Sequence, residues 1–309
     1  MPSDHAQDLM APPAGGVIHD RGYRRYEGPR LGRAQIARGL CWHSLRSAFG
    51  IGRGPKAKII PVIVAVTMCL PAVVNAVAVA RGNPPVVFYG TYLFPLRTIA
   101  MMVFVAVQAP ELVSRDLRSR VLPLYFSRPL RRGDYPAAKY VAFVLACLAM
   151  IEIPLVLLYL GTIVSAKQGH GIWTQTGELA GGLGVGLLWA VLLAAIGLAL
   201  ASLSARRAYA TGSVAIFFFL TWTLAGIIYS VAGHSAGPGP ALATSGQRLA
   251  GLISPFTVLD GIRQWLGGKS PGPIVAPGGY GAAYAIMFVV LLAASMGILA
   301  ARYRKAAEQ

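Results

Sequence analysis

The chain has 309 residues, of which 55% are hydrophobic and only 13% charged; its net charge is +17 and its mean hydropathy +0.58. About a quarter of the residues of an ordinary soluble domain are charged, and a soluble nucleic-acid binder with this net charge would not be so apolar. The composition is that of an integral membrane protein whose charges gather at the membrane surfaces.

Residues 1–30 are polar and rich in Pro and Gly, the composition of a flexible basic segment. Over 31–56 a helical pattern begins, with Leu31, Ile36, Leu40, Trp42, Leu45 and Phe49 set against Arg33, Arg38, His43 and Arg46. This predicts a basic amphipathic helix lying in a membrane interface, or else a solvated basic tail drawn to anionic lipid. Gly50, Gly52, Gly54 and Pro55 then mark a bend.

A bilayer core takes about 20 apolar residues of helix to cross. Six segments of 57–301 meet that length: Ile59–Ala80, Tyr92–Val113, Ala137–Val164, Leu179–Leu203, Tyr209–Ala232 and Gly281–Ala301. The first is expected to be a permanent anchor, because it follows a long polar stretch and exceeds the about 7–15 residues of a signal-peptide core. Lys and Arg set the orientation. Ten precede the first span, seven lie between span two and the first residues of span three (Lys139 the last of them), two between four and five, and three after six, which is 22 on one side. The other side has five (Arg81, Lys167, Arg248, Arg263 and Lys269), and Arg97 falls near the start of span two. The asymmetry predicts cytoplasmic termini, including the short tail 302–309, and an even number of spans.

The cytoplasmic loop 111–139 begins with a charged, helix-compatible stretch containing Glu111, Arg115 and Asp116. An apolar patch follows (Leu122, Leu124, Tyr125 and Phe126) between Arg120 and Arg128. Apolar side chains at a membrane surface need cover. A groove on another protein would supply it, as would the chain's own helix ends or the headgroups, and the residues leave these open.

Glu152 lies in the middle of the third apolar segment, two residues before Pro154. A carboxylate at the bilayer centre costs at least about 2.5 kcal/mol, so it must face the bundle or be protonated. Two readings follow: a group lining a translocation path, or a neutral carboxyl held inside the bundle. In span four Gly182, Gly186, Ala190 and Ala194 make a stripe of small residues at i, i+4 spacing, which lets another helix come close, either within this chain or from a second copy.

The external stretch 234–280 is rich in Gly, Pro and Ser at its ends. Within it Ser254-Pro255 reads as an N-cap followed by Pro at the first helical position. Phe256, Leu259, Ile262 and Trp265 then recur at helical spacing, with Asp260, Arg263 and Gln264 on the other side. A helix of about a dozen residues cannot span, so it is expected to be re-entrant or interfacial.

Catalytic signatures are missing. Gly268-Lys269-Ser270 has Arg263 where a phosphate-binding loop needs Gly, and no hydrolase or zinc motif is present. The chain is therefore not expected to be an enzyme, to hold a cofactor or metal, or to bind nucleic acid.

Taken in order, the motifs resemble those of the permease subunits of ABC-2 type transporters. The family's loop between spans two and three carries a pattern like Arg-Glu-x-x-Gly-Thr-Leu, then Leu-Leu and a Ser-Arg-Pro end. Here Arg115 and Asp116 match the first pair, and Leu122, Leu124 and Ser127-Arg128-Pro129 match the later positions, while Arg120 and Val121 replace the Gly-Thr. Pro255, Asp260 and Arg263 match the family's external Asn-Pro-x-x-x-x-x-(Asp/Glu)-x-x-Arg signature. His19–Gly28 is similar to the amino-terminal segment of an actinobacterial branch. The resemblance implies an all-α membrane domain of six spans in a bacterial plasma membrane, dimeric with an identical or a different permease. It also implies a coupling loop (Glu111, Arg115, Asp116, Leu122, Tyr125, Phe126 and Arg128) docked on one of two ATP-binding subunits, which carry the ATP and magnesium, and transport in the direction of export. A rival reading is a secondary transporter driven by an ion gradient through Glu152. An intramembrane enzyme is a third, but the sequence shows no acidic or His cluster for it.

Overall fold

The structure is a computed structural model, and it describes residues 28, 32–81, 83, 94–118, 133–165, 172–234, 244–267 and 278–306. The chain divides after Leu31 into two units, and all the helices belong to the second, Gly32–Gln309. Among the described residues every regular element is helical.

Helix α1 (Arg33–Ala48) buries Leu40, Ser44 and Ala48, which recur every four residues, against α3 and α4, while Trp42 on another face stays 62% exposed. The chain then reverses through Gly50 (φ 70°) and Gly52 (φ 84°), both in the left-handed region that only Gly adopts without strain. A Cβ at Gly50 would also lie 2.6 Å from the Ala57 carbonyl oxygen. A single 3₁₀ turn, Pro55–Ala57, leads into α2 (Ile59–Ala80). The remaining long helices are α3 (Phe94–Arg118), α4 (Asp134–Ser165), α5 (Ile172–Ser202), α6 (Arg207–His234) and α9 (Gly281–Ala306). Together with α2 they are, among the described residues, the six helices long and apolar enough to cross a membrane.

Their burial sorts them. The apolar windows of α3 and α5 are 78% and 61% buried, whereas those of α6 and α9 are 17% buried. Thus α3 and α5 form the centre, α4 packs on α5, and α2, α6 and α9 line the outside. The outer helices expose apolar side chains, among them Val62, Val66 and Leu70 on α2, Phe219 on α6 and Val289 on α9. Such surfaces are stable only against a low-dielectric surrounding.

Between α6 and α9 the described chain forms two short helices, α7 (Ser245–Ala250) and α8 (Pro255–Trp265). Thr244 and Gln247 close a capping box at the start of α7. Ser254 is the N-cap residue of α8 by its extended backbone, but its side chain makes no capping hydrogen bond, unlike the cap expected from the Ser-Pro pair. Instead Thr257 Oγ1 donates to the Gly251 carbonyl at 2.6 Å, fastening the first turn. Nor does α8 have a watered polar face: every residue from Pro255 to Arg263 is buried. It is packed among α5, α6 and α9, and a Cβ at Gly261 would collide with the Tyr284 ring of α9. Trp265 and Leu266, at its end, are exposed.

Candidate functional site

Two polar clusters stand out in this apolar bundle. The first joins α1, α3, α4 and α6 at the end of the bundle where basic residues concentrate. The Glu111 carboxylate on α3 is 5% exposed and takes two guanidinium partners, Arg53 from the α1–α2 link and Arg207 from the first turn of α6. One turn and a half further on, Asp116 accepts a hydrogen bond from the Tyr135 hydroxyl and pairs with Lys139 at 2.8 Å, both on α4. Arg33 of α1 closes the cluster with a two-pronged contact to Asp134, its Nε donating at 2.6 Å. That carboxylate beside the guanidinium pushes the Arg33 pKa above its ordinary value. Fork-shaped Arg–carboxylate contacts hold direction as well as charge, so α1 is pinned to α4 through Arg33 and Asp134, while α4, α6 and the α1–α2 link are tied to the basic end of α3.

Glu111 and Asp116, expected from the sequence in a coupling loop, thus have their carboxylates turned into the bundle. Arg115 lies in the last turns of α3. Leu122, Tyr125, Phe126 and Arg128 lie outside the described residues, between the two helices that Asp116 ties together.

The second cluster is deep in the bundle. Arg97, one turn into α3 and 5% exposed, stacks its guanidinium on the Trp189 ring of α5, 4.3 Å from the centroid. Such cation–π contacts strengthen when water is excluded. Within electrostatic reach of Arg97 lies Glu152 of α4. Both Glu152 carboxyl oxygens are shielded from solvent and lack a hydrogen-bond partner. The room for this side chain comes from Gly186, since a Cβ there would collide with the Glu152 carboxyl group. Gly182, one turn earlier, faces Leu155, and Ala190 is wholly buried. Gly182 and Gly186, the start of the small-residue stripe, therefore lie against α4 of the same chain.

Trp189 continues the contact outward to Phe256 of α8, with centroids 5.4 Å apart. On the same short helix Arg263 donates to Asp260 Oδ1 from Nε at 3.1 Å and from Nη2 at 2.9 Å, and Gln264 donates to Asp260 Oδ2 at 2.8 Å. Asp260 and Arg263 are 2% and 5% exposed, so this is an internal ion pair that fixes α8 from within. Pro255, Asp260 and Arg263, singled out from the sequence, are thus brought onto one buried element, next to the layer that holds Glu152. Arg97 and Trp189 were not recognised as partners in the sequence. An Arg at the start of an apolar run was the only signal, and the depth at which it sits depends on how α3 packs.

No group of three or more His, Cys, Asp and Glu side chains placed to hold a metal ion occurs among the described residues. No protein-family model matches the chain, and no curated protein matches it.

Proposed function

We propose that this chain is the transmembrane permease subunit of an ATP-driven transporter of ABC-2 type, working as an exporter in a bacterial plasma membrane with both termini in the cytoplasm. Two permeases, alike or different, pair and bind two separate ATP-binding subunits. The order of the sequence motifs and the 22-to-5 division of basic residues support the reading. In it α1 lies in the inner interface and α8 is re-entrant from the outer side.

The observation that carries the mechanism is the tie between Asp116 on α3 and Tyr135 and Lys139 on α4. It spans the base of segment 119–132, so a push on that segment moves α3 and α4 together. From Arg118 to Arg97, α3 is one unbroken helix of about 30 Å. Its far end carries Arg97 against Trp189, and α4 carries Glu152 beside it. ATP-driven movement of the partner subunits would so be delivered to the polar layer of the bundle. Leu122, Tyr125 and Phe126 supply the apolar docking surface, with Arg115 and Arg128 at its flanks.

The test is purification from mild detergent through a carboxyl-terminal tag. An ATP-hydrolysing subunit should accompany the permease in near-equal amount and be lost from the Leu122→Asp/Phe126→Asp variant, with the permease's elution profile unchanged. Recovery of the permease alone, even after crosslinking, would sink the proposal. Glu152 supports a second reading, an ion-gradient-driven transporter, because its buried oxygens have no hydrogen-bond partner. That reading requires Glu152→Gln to abolish gradient-driven transport without a partner ATPase.

A further inference from the structure

A cavity of about 450 Å³ opens at the basic end of the bundle, between the α1–α2 link, α3 and the first residue of α6. Its charged lining is Arg53, Lys56, Arg207 and Glu111, three cations against one carboxylate. Glu111 engages one nitrogen of each guanidinium, and a guanidinium carries five N–H donors, so donors remain on both. Lys56 is exposed and adds an ammonium at the rim. Deeper in, Gln108 is 2% exposed, and its Oε1 is a buried acceptor with no hydrogen-bond partner. The wall at this depth is apolar, with Ile60 in the first turn of α2 and Val107 on α3.

A cationic rim, an apolar wall and an unmet acceptor farther in describe a ligand with three corresponding parts. The cations call for an anion. The acceptor calls for a hydroxyl or ammonium donor, which a fully ionised phosphate lacks. The apolar wall, set where a membrane-length helix begins, is at headgroup level in a bilayer. We propose that this cavity binds a phosphodiester headgroup carrying a hydroxyl beyond the phosphate, and that its source is an anionic lipid of the phosphatidylglycerol type. The phosphate sits between Lys56, Arg53 and Arg207, and the headgroup hydroxyl donates to Gln108. The site does not depend on a partner ATPase.

The full-length protein is placed in vesicles of phosphatidylcholine alone, or of phosphatidylcholine with phosphatidylglycerol or with phosphatidic acid, and lipid retained through purification is counted by native mass spectrometry. Phosphatidylglycerol should be retained over phosphatidylcholine, and Lys56→Gln should weaken it about fivefold, the effect of one basic group at a membrane surface. Gln108→Leu should erase the preference for phosphatidylglycerol over phosphatidic acid while leaving the preference over phosphatidylcholine. Both variants alter one side chain outside the ion pairs of Glu111, and unchanged melting confirms that they fold. Equal retention of phosphatidylglycerol and phosphatidylcholine, or no response to Lys56→Gln, overturns the proposal. Inorganic phosphate or glycerol 3-phosphate displacing the lipid at concentrations that leave Lys56→Gln unaffected would reassign the cavity to a soluble phosphate and overturn the lipid source.

Discussion

Glu152 of α4 and Gly186 of α5 meet so closely that no side chain fits between them: a Cβ at Gly186 would collide with the carboxyl group of Glu152. The position of a carboxyl group inside an apolar bundle is thus set by the absence of a methyl on the neighbouring helix. Small residues commonly let helices in a membrane approach each other. Here the approach also fixes which way Glu152 extends, toward the layer of Arg97 and Trp189 rather than along the helix surface.

Gly186→Ala should therefore destabilise the bundle by about 1–3 kcal/mol, the usual cost of overpacking. Gly182→Ala has only Leu155 methyls at 3.8 Å to meet, an ordinary contact. It should be neutral or gain about 0.5–1 kcal/mol from the better helix propensity of Ala. Unfolding of the two variants in a denaturing-detergent titration checks the contrast, and equal behaviour would mean that Glu152 is not held where the structure has it.

At the basic end the three partners of one ion-pair cluster differ in exposure, which ranks their variants. Glu111 is 5% exposed, Arg53 20% and Arg207 61%. Removing the carboxylate takes from Arg53, 20% exposed, its partner at Glu111, so Glu111→Ala should cost about 1.5–3 kcal/mol, the worth of a hydrogen bond to a charged group. Arg207→Ala removes a mostly solvated charge and should cost about 0–1 kcal/mol, with Arg53→Ala between the two. Thermal melting in detergent gives the order, and an Arg207 variant as costly as Glu111→Ala would contradict it.

The sequence made some of this legible, for identifiable reasons. Helix α2 matches the expected Ile59–Ala80 because its apolar run is bounded by Lys58 and Arg81. The other spans differ at their ends, since α3 and α9 continue as helix into polar residues, as far as Arg118 and Ala306, which hydropathy alone does not register. Helix α7 was missed although Thr244 and Gln247 carry a capping-box spacing. Asp260 and Arg263 read as a polar face because a helical wheel assumes that polar means wet. The structure instead pairs them with each other inside the protein. Glu111 and Asp116 read as loop charges, and their partners Arg53, Arg207, Tyr135 and Lys139 come from other helices, which no local pattern announces.

Helix α1 supplies a pH-dependent observable outside the spans. Cys41 is partly buried there, and burial pushes its thiol pKa above the ordinary value. The thiolate is the reactive species, so a raised pKa leaves less of it at neutral pH. Maleimide labelling of Cys41, followed by peptide mass spectrometry, should be slower near pH 7 than that of an unstructured cysteine peptide. Its rate should go on rising at pH values where the peptide has levelled off. Parallel pH profiles would show that α1 does not pack on the bundle as described.

The Arg263–Asp260 pair on α8 allows a sharper test, because a buried ion pair is costly to break and cheap to replace as a whole. Arg263→Met alone takes the guanidinium away from the Asp260 carboxylate, in a position 2% exposed to solvent. Asp260→Leu alone leaves a guanidinium in the same dry layer. Each should cost about 3–5 kcal/mol, whereas the double variant Asp260→Leu/Arg263→Met should recover most of that loss. A double-mutant cycle measured by thermal unfolding in one detergent reads the coupling directly. If the two losses simply add, the pair contributes nothing as a pair, and α8 is held by the packing of Phe256 on Trp189 and of Gly261 on Tyr284 instead.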